Sequence, residues 1–298
     1  MFLFTYFKIY LLIFIYYILL FMSEAKKSEE PKVGDALYHI RIKKGQIPRF
    51  VFLPGDPDRV KVFAKSWDSS QMVAQEREYL TYKGVYKGVE LACTSTGIGS
   101  GAIAIAVEEL LRVGADTLIR TGTTGALWKD IGIGDLIISL GAYRADGATM
   151  AYAPIPYPAI ANYEVVNALV EAAETVGARY WLGITYSTDS FYLGQGRPGF
   201  GGFTNEFSEK IIETLKKLNI INMEMESSTL FTLASIYKVR AGAIFATIAN
   251  RETGEFVPNA GVETMVKVSN EAVKILKEWD EKKKIYNKRY FYPSLIKK

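Results

Sequence analysis

The sequence predicts a single α/β domain in which a mixed, mainly parallel central sheet is flanked by helices. Three observations carry this. Short apolar runs alternate with helix-length segments, glycine turns close several of the runs, and no repeat or low-complexity linker divides the chain. Residues 49–53 read as a strand closed by Pro54-Gly55. Residues 90–94 read as another, closed by Gly97 and Gly99, and 102–113 then reads as a helix with Glu108 and Glu109 on its open face. Strands are expected at 118–120, 135–139, 181–186 and 241–248, and helices at 164–176, 208–218, 225–235 and 262–283.

Composition bounds the rest. Residues 2–21 are almost all Phe, Tyr, Ile and Leu, long enough to span a bilayer as a helix, yet without a signal-peptide cleavage site. The favoured expectation is translation from Met22, whose following residues Ser23-Glu24-Ala25-Lys26-Lys27 suit an ordinary start; a membrane anchor is the alternative. The domain proper is expected over 35–281. The net charge of +4 is misleading, because seven cations and no acids fall in 282–298. That segment reads as a frayed basic tail, the remainder is acidic, and nucleic acid is not expected as a partner. A single cysteine, Cys93, set in an apolar run, excludes an internal disulfide and suits a reducing, cytoplasmic compartment.

The special residues fall at the carboxyl ends of the expected strands, where ligands collect in open α/β sheets. Arg120 ends an apolar run and precedes Thr121-Gly122-Thr123-Thr124-Gly125, read as a loop. A guanidinium there needs an anion: either a bound phosphate or a carboxylate in the core. Gly55 and Arg59, one helical turn apart, could grip one phosphate; alternatively Asp58 caps a helix and Arg59 is solvated. Gly97-x-Gly99 lacks the spacing of a dinucleotide fingerprint. Glu224 and Glu226 sit where a helix is expected to begin, pointing in different directions, as sugar-hydroxyl acceptors or as acids favoured by the helix dipole. His39 is the only histidine, so neither a histidine relay nor a Cys/His metal set can be assembled, and no metal is expected. No G-x-S-x-G elbow is present.

Four motifs in order then resemble the nucleoside phosphorylase-I family: Leu53-Pro54-Gly55-Asp56-Pro57-Asp58-Arg59, Ser95-Thr96-Gly97-Ile98-Gly99, Arg120-Thr121-Gly122-Thr123-Thr124-Gly125-Ala126 and Met223-Glu224-Met225-Glu226-Ser227. The likeness spans about 35–279 and is greatest to the uridine-cleaving members. It implies cleavage of a nucleoside by inorganic phosphate, which is a co-substrate, with no cofactor. It implies phosphate held by Gly55, Arg59, Arg77, Arg120 and Thr123, and ribose by His39, Thr123, Met225 and Glu226. The base would meet Thr124, Gly125, Phe191, Gln195 and Arg197. Arg59, Arg120 and Glu226 would carry catalysis, through a dissociative transition state. His39 and Arg77 would be lent across a dimer, which implies a homo-oligomer, a hexamer built as a trimer of dimers.

The base-binding segment points to uracil. The Asp that purine-cleaving relatives carry after the last core strand is missing from Ala249-Asn250-Arg251. Phe191-Tyr192-Leu193-Gly194-Gln195-Gly196-Arg197 instead matches the pyrimidine arrangement. Two departures are expected to matter. Ala102 stands where the family has a Ser that helps hold a monovalent cation with Glu78 and the Ile98 carbonyl. Met223 and the run Pro198-Gly199-Phe200-Gly201-Gly202 are expected to reshape the base pocket, leaving a broad or purine-cleaving phosphorylase as the alternative. A hydrolytic nucleosidase would not need three phosphate-facing arginines. A membrane-anchored nucleoside-binding protein rests on residues 2–21 alone.

Overall fold

The structure is a computed structural model that describes residues 10–17 and 28–297. It is built around a ten-stranded mixed sheet. After a small hairpin, β1 (Lys32–Val33) and β2 (Ala36–Leu37), the chain enters β3 (Phe50–Leu53). Phe50 and Phe52 point to one face of the sheet and Val51 and Leu53 to the other, as strand alternation requires. All four side chains are buried, so both faces must be covered. Helices α1 (Pro57–Lys65), α3 (Tyr163–Val176) and α6 (Val262–Ile285) cover the phenylalanine face. Helices α2 (Ser100–Val113) and α5 (Ser227–Ile236) cover the other. Helix α4 (Glu206–Lys217) lies at one end, over a smaller cluster with Tyr186 and Met223.

Strands β6 (Val89–Thr94), β3 and β7 (Thr117–Ala126) run parallel, and β12 (Arg240–Asn250) continues the parallel set beside β7. Strands β8 (Leu136–Ala145), β10 (Tyr180–Thr188) and β11 (Ile220–Glu224) follow, with the short β9 (Ala159–Ile160) against β8. Because β11 also pairs with β7, through Asn222 with Ala126 and Met223 with Gly125, this half of the sheet closes into a ring. The closure carries the end of β11 to the end of β7, where the candidate site lies.

Several expectations need correction. Residues 121–125 are not a loop: β7 continues to Ala126, because β12 pairs with it along its whole length. Glu109 is not on an open face. It is buried, and its carboxylate accepts from the main-chain N–H of His39 and of Ile40 (2.9 Å) and meets His39 Nδ1 at 2.7 Å. Residues 224–226 are not yet helical, since β11 ends at Glu224 and α5 begins at Ser227. The hairpin of the largely exposed β4 (Ser69–Glu76) and the partly buried β5 (Tyr79–Tyr86) was not expected, whereas α1 is the helix expected only as the alternative to a phosphate grip. The expected extension 2–21 and the start at Met22 lie outside the described residues, except for 10–17, which are helical and exposed. No helix among the described residues is long and apolar enough to cross a membrane.

The basic tail is not frayed. Phe291 and Leu295 are buried, and the Phe291 ring stacks on Trp279 of α6 with centroids 3.8 Å apart. Glu164, at the start of α3, accepts from Lys283 Nζ (2.6 Å), from Arg240 Nη1 (3.1 Å) and from the Phe291 N–H (3.0 Å). Phe291 and Leu295 therefore complete the phenylalanine-face core. Phe291→Ala is expected to cost about 3 kcal/mol in a urea-unfolding measurement, the scale for deleting a buried aromatic side chain. A change under about 0.5 kcal/mol would mean that the tail does not pack.

Candidate active site

The loops after β3 and β6 extend the parallel ladder beyond the strands: Thr96 donates its N–H to Pro54 O (2.9 Å) and Gly97 to Gly55 O (3.0 Å). A side chain at position 55 would place its Cβ 2.9 Å from the Gly97 carbonyl, so only glycine lets the two loops approach this closely. Helix α1 starts at once, capped by Asp56, whose carboxylate accepts from Asp58 N (2.8 Å). The cap is thus Asp56 and not Asp58. Arg59 is not solvated; it turns inward, with Nη1 3.4 Å from Thr121 O. Burial and the nearby Arg120 guanidinium both pull its pKa down.

Arg120 sits in the middle of the sheet, opposite Leu53 on one side and Ala243 on the other, and is 5% exposed. Its Nε donates to Glu224 Oε2 (3.2 Å), its Nη2 to Glu226 Oε2, and its Nη1 approaches Leu53 O (3.5 Å). The carboxylate pairing is therefore real, and it is double. A side chain on Gly122 would come within 2.9 Å of the Phe245 ring and 3.2 Å of Arg120 Nη2, so glycine there leaves room for the guanidinium. The expected divergence of Glu224 and Glu226 is corrected: they flank a turn rather than lie on a helix, and both reach Arg120. Glu226 also accepts from the Gly99 N–H (2.6 Å), so the second glycine turn holds a carboxylate. Burial, opposed by Arg120 and reinforced by Glu224, pushes the Glu226 carboxyl up to about 7.

The other end of the site is made by the segments that follow β10 and β12. Gln195 is buried, and Arg197 Nη1 donates to its Oε1 (2.6 Å) and to Phe191 O (2.8 Å). The Arg197 guanidinium lies 4.0 Å from the centre of the Phe191 ring, which leaves the opposite face of that ring uncovered by it. Burial and the neighbouring Arg251 lower the Arg197 pKa to about 10. Arg251 donates to the main-chain carbonyls of Gln195 (2.8 Å) and Gly196 (3.2 Å).

One cavity of about 930 Å³ connects the two ends. It gathers Gly55, Arg59, Arg120, Thr123, Thr124, Gly125, Phe191, Gln195, Arg197, Met225 and Glu226. The Thr124 hydroxyl is already engaged, donating to Met223 O (2.7 Å) and accepting from Asn222 Nδ2 (3.0 Å). His39 and Arg77 are not in this cavity. They meet instead on the outer surface around Tyr38, whose ring lies edge-on to His39 and under the guanidiniums of Arg41 and Arg77. Sequence reasoning gave Arg251 no role, although its place at the carboxyl end of the last core strand was a usable signal. Phe256 and Glu255, on the segment after it, carried none.

Comparison with known proteins agrees with this geometry. A family described as the phosphorylase superfamily matches residues 49–279. A uridine phosphorylase from Thermococcus kodakarensis is 49% identical over 269 residues, which is 90% of this chain and 97% of that protein. The uridine phosphorylase of Escherichia coli is 38% identical, covering 81% of this chain and 96% of its own length. A guanosine phosphorylase from Halorubrum lacusprofundi is also 38% identical, over 72% of this chain and 84% of its own. With the matched family spanning both ends of the cavity, the chain belongs to the phosphorylase superfamily.

Proposed function

We propose that this chain is a nucleoside phosphorylase that converts uridine and inorganic phosphate to uracil and ribose 1-phosphate. The observation that carries the reading is the order of chemistry along one cavity. Arg59 and Arg120 lie at one end, Glu226 beside them, and Gln195, Arg197 and Arg251 at the other. A phosphate, a sugar and a base fit that order. The names of two relatives matched over 96% or more of their own length support uridine.

In this reading Gly55, Arg59, Arg120 and Thr123 seat the phosphate beneath the anomeric carbon. Glu226 donates nothing; each of its oxygens accepts one protein hydrogen bond and keeps a lone pair for one of the two vicinal sugar hydroxyls. Met225 packs beside the sugar. The glycosidic C–N bond breaks ahead of attack, its electron pair passing to the uracil ring; a phosphate oxygen then bonds to the anomeric carbon, and the proton that hydrogen phosphate gives up neutralises the uracil anion. Arg197 and Arg251 stabilise the negative charge that spreads over the departing uracil, and Phe191 stacks on it with the face that Arg197 does not cover. Most of the acceleration comes from electrostatics and positioning. No cofactor is invoked. Glu78 and Ile98 line the cavity, but position 102 offers a methyl group in place of a hydroxyl, so no step is routed through a cation.

The two remaining residues need a second subunit. His39 is held by Glu109 through Nδ1, which leaves Nε2 for another partner, and Arg77 sits at the tip of the β4–β5 turn with φ of 52°. Both lie on one exposed surface, as residues lent to a neighbour's site would. A homo-oligomer, a hexamer built as a trimer of dimers, accommodates this sharing.

Three outcomes test the proposal. Purified protein assayed on uridine, inosine and guanosine, with and without phosphate, is expected to turn over uridine fastest and only with phosphate. Faster turnover of guanosine or inosine would move the specificity to purines, and phosphate-independent turnover would exclude phosphorolysis. Arg120→Ala and Arg77→Ala should each lose on the order of a hundredfold or more in kcat/KM, the usual effect of removing one oriented donor. Mixing the two inactive variants under exchange conditions should restore about a quarter of the wild-type rate, because each mixed dimer contains one intact site. No recovery, despite subunit exchange shown by mass spectrometry, would place Arg77 outside a shared site. Finally, Glu226 must be ionised to accept from both the sugar and Arg120, so kcat/KM for uridine should fall as pH drops through about 7. A flat profile down to pH ~5, near the ordinary range of a glutamate, would contradict that role.

A further inference from the structure

We propose that Glu224 is a positioning residue that aims two opposite charges at once, setting Arg120 toward the phosphate and Glu226 toward the sugar. The inference rests on the phosphorylase reading above for what those two groups hold. Glu224 is the last residue of β11, and its carboxylate folds back over the turn that follows. Oε2 accepts from Arg120 Nε (3.2 Å) and from the Glu226 N–H (2.9 Å), and Oε1 accepts from the Ser227 N–H (2.9 Å). Both lone pairs of Oε2 are thereby used, and Glu224 touches the cavity with little left to offer a ligand.

The consequence is a division of labour between two adjacent acids. Glu226 occupies the N-cap position of α5, yet its side chain makes no capping hydrogen bond. Glu224 takes over that task by accepting the first free N–H groups of the helix. Glu226 is thereby released to face the cavity. The same carboxylate fixes the guanidinium plane of Arg120 through Nε. Of the five guanidinium N–H groups, one is bound by Glu224, one by Glu226 and one approaches Leu53 O, which leaves one on each Nη for a ligand. A rotation of Glu224 would misaim both groups together.

Glu224 also sets a charge. The groups facing Glu226 are Arg120 of β7, Arg59 of α1, Glu224 of β11 and the Gly99 N–H that opens α2. Of these only Glu224 holds Glu226 in its protonated form, so neutralising Glu224 lowers the pH at which Glu226 ionises.

Glu224→Gln tests the proposal, because it preserves shape while removing charge and presenting an N–H donor among three others. Expected are a loss of about tenfold to a hundredfold in kcat/KM, shared between the KM for phosphate and the KM for uridine. The acid limb of the pH profile should move to lower pH. A merely structural role would lower thermal stability without moving that limb in this direction. Rates within about threefold of wild type, a limb that stays or rises, or a defect confined to one substrate would each overturn the proposal. Calorimetric titration with inorganic phosphate reads the Arg120 arm without turnover. A wild type that leaves nucleosides uncleaved therefore overturns the functional reading, while this arm still decides whether Glu224 aims Arg120. Should the glutamine variant fail to fold, Glu224→Asp keeps the charge but withdraws the carboxylate by one methylene. Weaker phosphate binding then supports the proposal, and unchanged phosphate binding overturns it.

Discussion

The rest of the site depends on one buried cation. Arg120 lies in the centre of the sheet, where an unpaired guanidinium would carry a desolvation penalty of several kcal/mol. The nearest partners in sequence are far away: Glu224 and Glu226 reach it only because β11 crosses to pair with β7. The ring closure of the sheet is thus tied to an electrostatic requirement. Each explains the other, since β11 brings the acids, and the acids stabilise a cation that the closed ring removes from water. Glu226 shows the residual tension. Even beside Arg120, burial holds its carboxyl near neutrality, so the cluster is balanced rather than strongly ionic.

That balance shapes what the cavity can hold. Arg59 and Arg120 are offset on the floor by Glu224 and Glu226, so this end has little surplus positive charge for a dianion. In the proposed function a further cation must come from elsewhere, and Arg77 on a neighbour supplies it. The base end is different. Among the described residues Arg197 and Arg251 form no ion pair; they spend their hydrogen bonds on main-chain carbonyls and the Gln195 amide. In the proposed function this leaves positive charge in surplus where the leaving group becomes negative, and it is partly buried, which raises its effect on charge developing nearby.

Much of this was legible in the sequence where one face of an element had to be buried. The runs around 50–53 and 90–94 and the helices near 164–176 and 262–283 carry apolar patterns that tertiary context does not change. The rest fails for identifiable reasons. Glycine and threonine at 121–125 read as a loop, but parallel pairing with β12 holds them extended, and Gly122 serves space for a guanidinium rather than a turn. Glu109 looked solvated because helical position alone cannot show that the chain at 39–40 docks on it. β4 is an edge strand with mostly exposed side chains, so it has no hydrophobic alternation to read. The tail's charge hid Phe291 and Leu295, whose partners lie on α6 and α3. Gly55, Arg59 and Arg120 could be singled out because strand ends collect ligands, whereas the candidates at the base end rested on the family resemblance; that they line one cavity depends on the long-range pairing of β11 with β7.

The two ends of the cavity are also built from different material. Arg120, Glu224 and the Gly55–Gly97 contact belong to strands and to loops locked by ladder hydrogen bonds, where a shift of any one disturbs the sheet. Phe191, Gln195, Arg197 and Arg251 stand on segments that leave β10 and β12, beside the glycine-rich run 198–202 and the exposed Phe256. Loops of this kind accept sequence change at low cost to the fold. In the proposed function, the chemistry of phosphate and sugar is therefore fixed by the architecture, whereas the choice of base rests on a replaceable edge. Gln195 is the point where the two regimes meet, buried like the floor yet oriented by Arg197 and anchored by Arg251, so that changing either arginine redirects its amide without reaching Arg120.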